Sequence, residues 1–166
     1  MDAPSTITLR RATEADVDAI ARVWQQGWLD AHVEHVPQEL VAHRGFDQFV
    51  RRGRDRVPST WVATLGGAVV GFVTLKDDEL EQIFVERAAR GSGVAVALLA
   101  RGEEELRAAG HRTAWLAVVS GNARARAFYE RQGWRDAGGF VYHAETAAGP
   151  LPVPSQRYER DLVAGA

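Results

Sequence analysis

The stretch IFVERAARGSGVAVALL, residues 83–99, decides the fold. An apolar run meets a glycine-punctuated turn at Gly91 and Gly93, and apolar residues at helical spacing begin straight after it. Such a turn presents backbone N–H groups at a helix N-terminus, which suits an anionic group, usually phosphate. No lysine follows the glycines before this helix ends. A P-loop requires G-x-x-x-x-G-K-[ST], whose lysine compensates the β- and γ-phosphates, so that reading fails. A Rossmann turn requires G-x-G-x-x-G. Gly91 and Gly93 match it, but Val96 stands in the third position, and the preceding strands read as a hairpin meander rather than a parallel pair.

Upstream of the turn, TWVATLGGAVVGFVTL is two strand-like runs joined by Gly66-Gly67, a pair that supplies the positive φ angles of a two-residue hairpin. KDD turns the chain again and ELEQIFV returns as a third strand. Downstream, a helix over about residues 94–109 ends at Gly110, and TAWLAVV is a buried-type strand. SGN turns into a short helix over residues 123–132, stopped by Gly133. Two more strands follow, the second reading as QRYERDLV, on either side of a mobile-looking HAETAAGPLPVPSQ.

At the N-terminal end, TITLRRA is a strand, and Thr13 and Asp16 form a capping-box-like signal. Behind it Val17, Ile20, Ala21, Trp24 and Trp28 share one helix face. Residues 36–56 read as two helical pieces broken near Gly45, ending in an arginine-rich loop. The order β-α-α-β-β-β-α-β-α-β-β predicts an α/β (α+β) fold: one domain over residues 1–166, a mixed, mainly antiparallel twisted sheet flanked by helices.

Composition narrows the function. The 166 residues carry a formal net charge of −2, which argues against general nucleic-acid binding. Cysteine is absent, excluding disulfides, thiolate catalysis and cysteine-based metal sites, and of the five histidines the neighbouring His32 and His35 are too isolated to read as metal ligands. No run reaches membrane-spanning length and the first residues lack a secretory pattern, so a cytoplasmic location is expected.

Arg90-Gly91-Ser92-Gly93-Val94-Ala95 fits R-x-x-G-x-A, and Asn122, Ala125 and Tyr129 fit N-x-x-A-x-x-x-Y, followed by E-x-x-G-W. With the strand before and the helix after, these motifs resemble the GNAT superfamily of acyl-CoA N-acetyltransferases. The resemblance covers the whole chain in element order and is motif-grade from Glu79 to Arg135. It implies acetyl-CoA as co-substrate and no metal. The loop amides from Gly91 through Val96 (Ser92, Gly93, Val94 and Ala95 between them) would cradle the pyrophosphate of coenzyme A, with Arg90 adding charge at the rim. A diphosphate has no γ-phosphate to neutralise, which accounts for the missing lysine. The main chain of Ile83, Phe84 and Val85 would hold the pantetheine arm, one N–H facing the thioester oxygen. Family members often carry proline where this chain has Arg87.

The same resemblance makes Tyr129 the hydrogen-bond donor or acid toward the departing sulfur. Tyrosine has a pKa of about 10 and a thiol about 8.5, so full proton transfer is uphill by about 2 kcal/mol; donation of a hydrogen bond is the safer description. Asn122 is either the N-cap of its helix, a coenzyme contact, or both. An amine must lose a proton before attacking a thioester, and Glu81 is the first choice of base, Glu79 the second. By strict alternation both should share a face with Ile83 and Val85. The first helices would shape the acceptor site, with Trp28 and His32 as candidates, although the tryptophans read first as core. Arg51, Arg52, Arg54 and Arg56 read as a solvated helix end. The expectation is direct acetyl transfer to a primary amine of unspecified identity in a ternary complex, with a homodimer possible. A non-catalytic acyl-CoA-binding module of the same fold is the alternative.

Overall fold

Residues 6–163 are described by a computed structural model of the chain. Residues 1–5, part of the segment read above for a secretory pattern, lie outside the described residues, as do 164–166. The chain runs β1 (Ile7–Arg11), α1 (Val17–His32), α2 (Gln38–Ala42), α3 (Phe46–Asp55), β2 (Thr60–Leu65), β3 (Ala68–Lys76), β4 (Glu79–Val85), α4 (Val94–Ala108), β5 (Thr113–Val119), α5 (Ala123–Arg131), β6 (Arg135–Ala144) and β7 (Leu151–Asp161). The strands form one seven-stranded sheet in the order β1-β2-β3-β4-β5-β7-β6. Every neighbouring pair is antiparallel except β4 and β5, which run parallel because α4 crosses over between them.

Local chemistry accounts for the joints. Gly66 and Gly67 take φ of +58° and +83°, the geometry of the tight β2–β3 hairpin. Asp16 accepts the Thr13 N–H at 2.8 Å ahead of α1. β7 starts at Leu151 instead of Gln156, so Pro152 and Pro154 sit inside a strand that had read as a mobile loop. The Pro154 carbonyl, which accepts from Ser120 N–H, points to the β5 edge. The missing proline N–H groups therefore face that edge, and at this end of β7 the β6 ladder needs none of them.

Each face of the sheet carries its own core. On one, Ile20 and Trp24 of α1 and Phe49 of α3 pack on Val62 and Phe72; Trp24 meets Phe49 edge-on at 5.4 Å. On the other, Val94, Leu98 and Leu106 of α4 cover Val73, Leu80 and Leu116. Full burial of each such side chain contributes about 1.5–3 kcal/mol.

Two irregularities of β4 interrupt this order. Between β3 and β4 the register slips, Thr74 pairing with Gln82 but Leu75 with Leu80, so Glu81 is the extra residue of a bulge. Leu80 and Ile83 consequently pack on the α4 side and Phe84 on the α1 side. The alternation expected for Glu79, Glu81, Ile83 and Val85 does not hold: the bulge turns Glu81 toward α3 and leaves Ile83 facing α4. The second irregularity is the pairing of β4 with β5, which among the described residues is confined to Glu79 and Trp115. Past that pair the sheet is open.

Candidate active site at the opening between β4 and β5

Main-chain direction shows what lines the opening. Glu86 N–H bonds to Val70 O at 2.7 Å, so the polar groups of Glu86 and, by alternation, Phe84 face β3. Those of Ile83 and Val85 face the opposite edge, toward the gap. Phe84 contributes its ring, which packs 6.0 Å from Phe72. A Cβ on Gly27 of α1 would fall 2.5 Å from that ring, so α1 can approach β4 closely only because residue 27 is glycine.

A cavity of about 810 Å³ lies at the opening, walled by Ile83, Phe84, Val85, the turn before α4, α5, and Gly27, Asp30 and Ala31 of α1. Gly91 and Gly93 hold φ of +82° and +91°. A Cβ at Gly91 would meet nothing within 4 Å, so glycine is required there by backbone conformation and not by space. Ala97 N–H is the first to reach back, to Gly93 O at 3.0 Å, which leaves the N–H groups of Val94, Ala95 and Val96 unpaired within the helix. Gly91, Gly93, Ala95 and Val96 line the cavity. Val94 is 1% exposed, its side chain in the core, so it can offer only its N–H. Ser92 is turned away: its N–H bonds to Ala89 O at 3.3 Å and its hydroxyl to the same carbonyl.

Arg90 lines the cavity, but its guanidinium is 3.2 Å from Asp30 of α1, whose other oxygen takes Arg87 at 2.6 Å. Asn122 caps α5 by accepting Ala125 N–H at 3.2 Å. Both Asn122 and Tyr129 also border a second cavity, of about 320 Å³, which reaches toward α3 and β6. Ile83, Phe84, Ala125 and Tyr129 are common to the two walls, so the cavities meet at the gap in the sheet. Tyr129 is buried against Phe128, Trp134 and Tyr158, and burial pushes its hydroxyl pKa above the ordinary value. It keeps its proton across the physiological range.

The second cavity is lined by Glu81, Trp28 and His32 together with residues the sequence had not singled out. Glu81 accepts from Arg56 Nε at 2.5 Å. Glu79 stands outside the wall, 7% exposed, and burial followed by the nearby Glu81 charge raises its pKa to about 7. His32 stacks on Trp28 at 5.0 Å and places Nδ1 3.0 Å from the Trp28 carbonyl. Burial lowers its pKa to about 4, so it is neutral at pH 7. Tyr142 and the arginines Arg44, Arg52 and Arg56 also line this cavity. Of the arginines read as a solvated helix end, Arg51 and Arg54 are exposed, whereas Arg52 and Arg56 turn inward, Arg52 with Cζ 4.4 Å from the Trp24 ring centre. A four-residue step at the end of α3, from Arg52 to the capping Arg56, separates the inward pair, a spacing visible in the sequence; Arg44 and Tyr142 come from elements whose approach no local pattern encodes.

Residues 18–134 match the profile of the Acetyltransferase (GNAT) family. The chain belongs to that family. It is 28% identical over 138 residues to an uncharacterized N-acetyltransferase of Archaeoglobus fulgidus, covering 76% of this chain and 92% of the other. Among solved structures, an N-acetyltransferase of Staphylococcus aureus Mu50 superposes with a TM-score of 0.72 at 22% identity, over 95% of this chain and 99% of that one. The YncA structure of Salmonella typhimurium, solved with its cofactor acetyl-CoA, gives 0.71 at 20% identity over 98% and 97%. At these identities the superpositions establish the GNAT fold. Among the described residues no cluster of metal-ligating side chains occurs, and no helix is long and apolar enough to cross a membrane.

Proposed function

We propose that this GNAT acetyltransferase moves an acetyl group from acetyl-CoA to a primary amine by direct transfer in a ternary complex. The observation that carries this reading is the meeting of two cavities at one gap, with a protonated tyrosine and a carboxylate on its walls. Acetyl-CoA, when bound, supplies an acetyl thioester with a thiolate leaving group. The residues present fit it. The unpaired N–H groups at the start of α4, with the helix dipole behind them, suit a diphosphate that brings no γ-phosphate. The gap-facing main chain of Ile83 and Val85 offers an extended arm the hydrogen bonds that β5 does not take, and one of those N–H groups can face the thioester oxygen.

Glu81 faces the acceptor cavity, and Glu79 behind it titrates in the neutral range, so the pair can accept a proton from the attacking amine. As the nitrogen–carbon bond forms, the carbon–sulfur bond breaks. The nitrogen gives up one proton and the released thiol takes one back. Tyr129, whose raised pKa makes full transfer costlier still, stabilises the departing sulfur by donating a hydrogen bond. A binding-only module of this fold would need neither group at the junction.

Calorimetric titration with acetyl-CoA, with ATP and NAD as controls, followed by a thiol-release assay over an amine panel, tests the reading. Saturable binding of acetyl-CoA alone and acceptor-dependent thiol release are expected. Binding without turnover of any amine would favour the non-catalytic alternative, and no binding would make the glycine turn purely structural.

A further inference from the structure

The wall of the smaller cavity holds more positive charge than the protein neutralises. Arg44, Arg52, Arg56 and Lys76 line it, against the carboxylates of Glu81 and Glu145. Glu81 is taken by Arg56. Glu145 is exposed, and what it gives Arg44 by hydrogen bond is its main-chain carbonyl, at 2.8 Å from Nη2. Among the described residues neither Arg44 nor Arg52 has a carboxylate within 4.0 Å.

Water relieves these guanidiniums only in part. Arg44 is only 5% exposed, and its Nε, like Nη1 of Arg52, is buried with no hydrogen-bond partner. Burial, then the charges of Arg44 and Arg56, lowers the Arg52 pKa to about 10, still well above neutrality. The indole faces of Trp24 and Trp28 offer cation–π contact at 4.4 Å and 5.9 Å, which offsets part of the desolvation but supplies no opposite charge. An arrangement that draws charged guanidiniums together beside a small cavity is completed by a planar anion, the geometry they bind best.

We infer that the acceptor is an amino acid, its carboxylate received by Arg44 and Arg52 while its amine lies toward Glu81 and the gap in the sheet. This rests on the acetyltransferase reading above and narrows it. A cavity of about 320 Å³ fits a small molecule carrying both groups. A protein N-terminus presents no carboxylate at that distance, and a simple polyamine would meet a wall of its own sign.

The test compares matched acceptors on the wild-type protein: the twenty L-amino acids, their amides, and the corresponding decarboxylated amines, with an N-terminal peptide set alongside. Acetyl-CoA binding is read separately by calorimetry. At least a tenfold higher kcat/KM for acids over amides is expected, arising in KM. R52Q should raise the KM for the acid while leaving that for the amide in place, and R52K should restore part of the preference. If R52Q fails to fold, the acid-to-amide ratio of the wild type decides alone. Equal turnover of acids and amides, preference for peptides or plain amines, or acetyl-CoA binding with no amino acid turned over each overturns the inference while leaving the donor site standing. Absence of acetyl-CoA binding removes the acetyltransferase reading and this inference with it.

Discussion

Arg56 Nε lies 2.5 Å from Glu81 Oε1, and this contact ties the end of α3 to the bulge of β4. The carboxylate is 6% exposed and the guanidinium 23%, so neither partner is freely solvated. E81Q leaves the guanidinium half-buried without its anion, and about 2 kcal/mol of stability should be lost. Acetyl transfer should fall by roughly 10²–10⁴ in kcat, the usual scale for removing a general base. Acetyl-CoA affinity should stay within about twofold, because the donor cavity lies across the gap. Thermal unfolding, calorimetry and steady-state kinetics separate the three effects; unchanged kcat would remove Glu81 from the proton path.

Glu79 makes the protein's stability depend on pH in a definite direction. Its folded pKa is about 7 against an ordinary 4.5, so the folded state binds more protons than the unfolded state between those values. Stability therefore falls as pH rises through that window, and the penalty is complete above pH 7. E79Q removes it. The variant should match wild type near pH 4 and exceed it at pH 8, by up to about 3 kcal/mol if the whole shift is recovered. Denaturant melts at the two pH values check this, and a variant less stable than wild type at pH 8 contradicts the assignment. In the kinetics, the rise of kcat through neutrality should disappear.

The sequence disclosed the elements that local rules govern. Paired glycines, helix caps and apolar periodicity are short-range signals, and the order from β1 to β7 followed them. The glycine turn before α4 was legible for the same reason, since a helix N-terminus after Gly91 and Gly93 is a local device. What stayed hidden depends on register and on distant packing. The bulge at Glu81 arises from the way β3 and β4 align, so a strict two-residue period placed Ile83 and Glu81 on one face when they lie on opposite ones. The inward turn of Arg52 and Arg56 depends on the seating of α3 over Trp24. The strand through Pro152 and Pro154 was missed because proline reads as a breaker until the edge it faces is known.

The glycines near the donor site should respond to alanine for different reasons. Gly91 has free space but a φ of +82°, so G91A strains the backbone by about 1 kcal/mol, should lower the melting temperature by roughly 2–4 °C, and should weaken acetyl-CoA binding. Gly27 lies inside α1, where alanine would ordinarily stabilise by roughly 0.5–1 kcal/mol. Here its Cβ would fall 2.5 Å from Phe84, so G27A should destabilise instead and displace the ring from the wall shared by both cavities. The two variants should differ in kind: G91A should lose acetyl-CoA affinity out of proportion to a melting-temperature drop of a few degrees, while G27A should lose stability more than G91A does. A stabilised G27A would show that α1 does not press on β4.

Tyr129 offers the sharpest separation of chemistry from structure. Its ring packs among Phe128, Trp134 and Tyr158 at 5.3 to 6.2 Å, contacts that phenylalanine preserves. Among the described residues no side chain or main-chain group hydrogen-bonds its hydroxyl, so Y129F leaves no buried partner unsatisfied and folding stability should stay within about 0.5 kcal/mol. Acetyl-CoA should still bind, since the thioester sulfur is a poor acceptor before the bond breaks. The loss belongs to the transition state, where a thiolate develops beside a hydroxyl that burial keeps protonated. A drop of roughly 10–10³ in kcat with little change in KM is expected. The deficit should shrink with an acyl donor whose leaving thiol is more acidic, because such a thiolate needs less help. A Y129F deficit that is the same for every leaving group would place the hydroxyl in positioning and not at the sulfur.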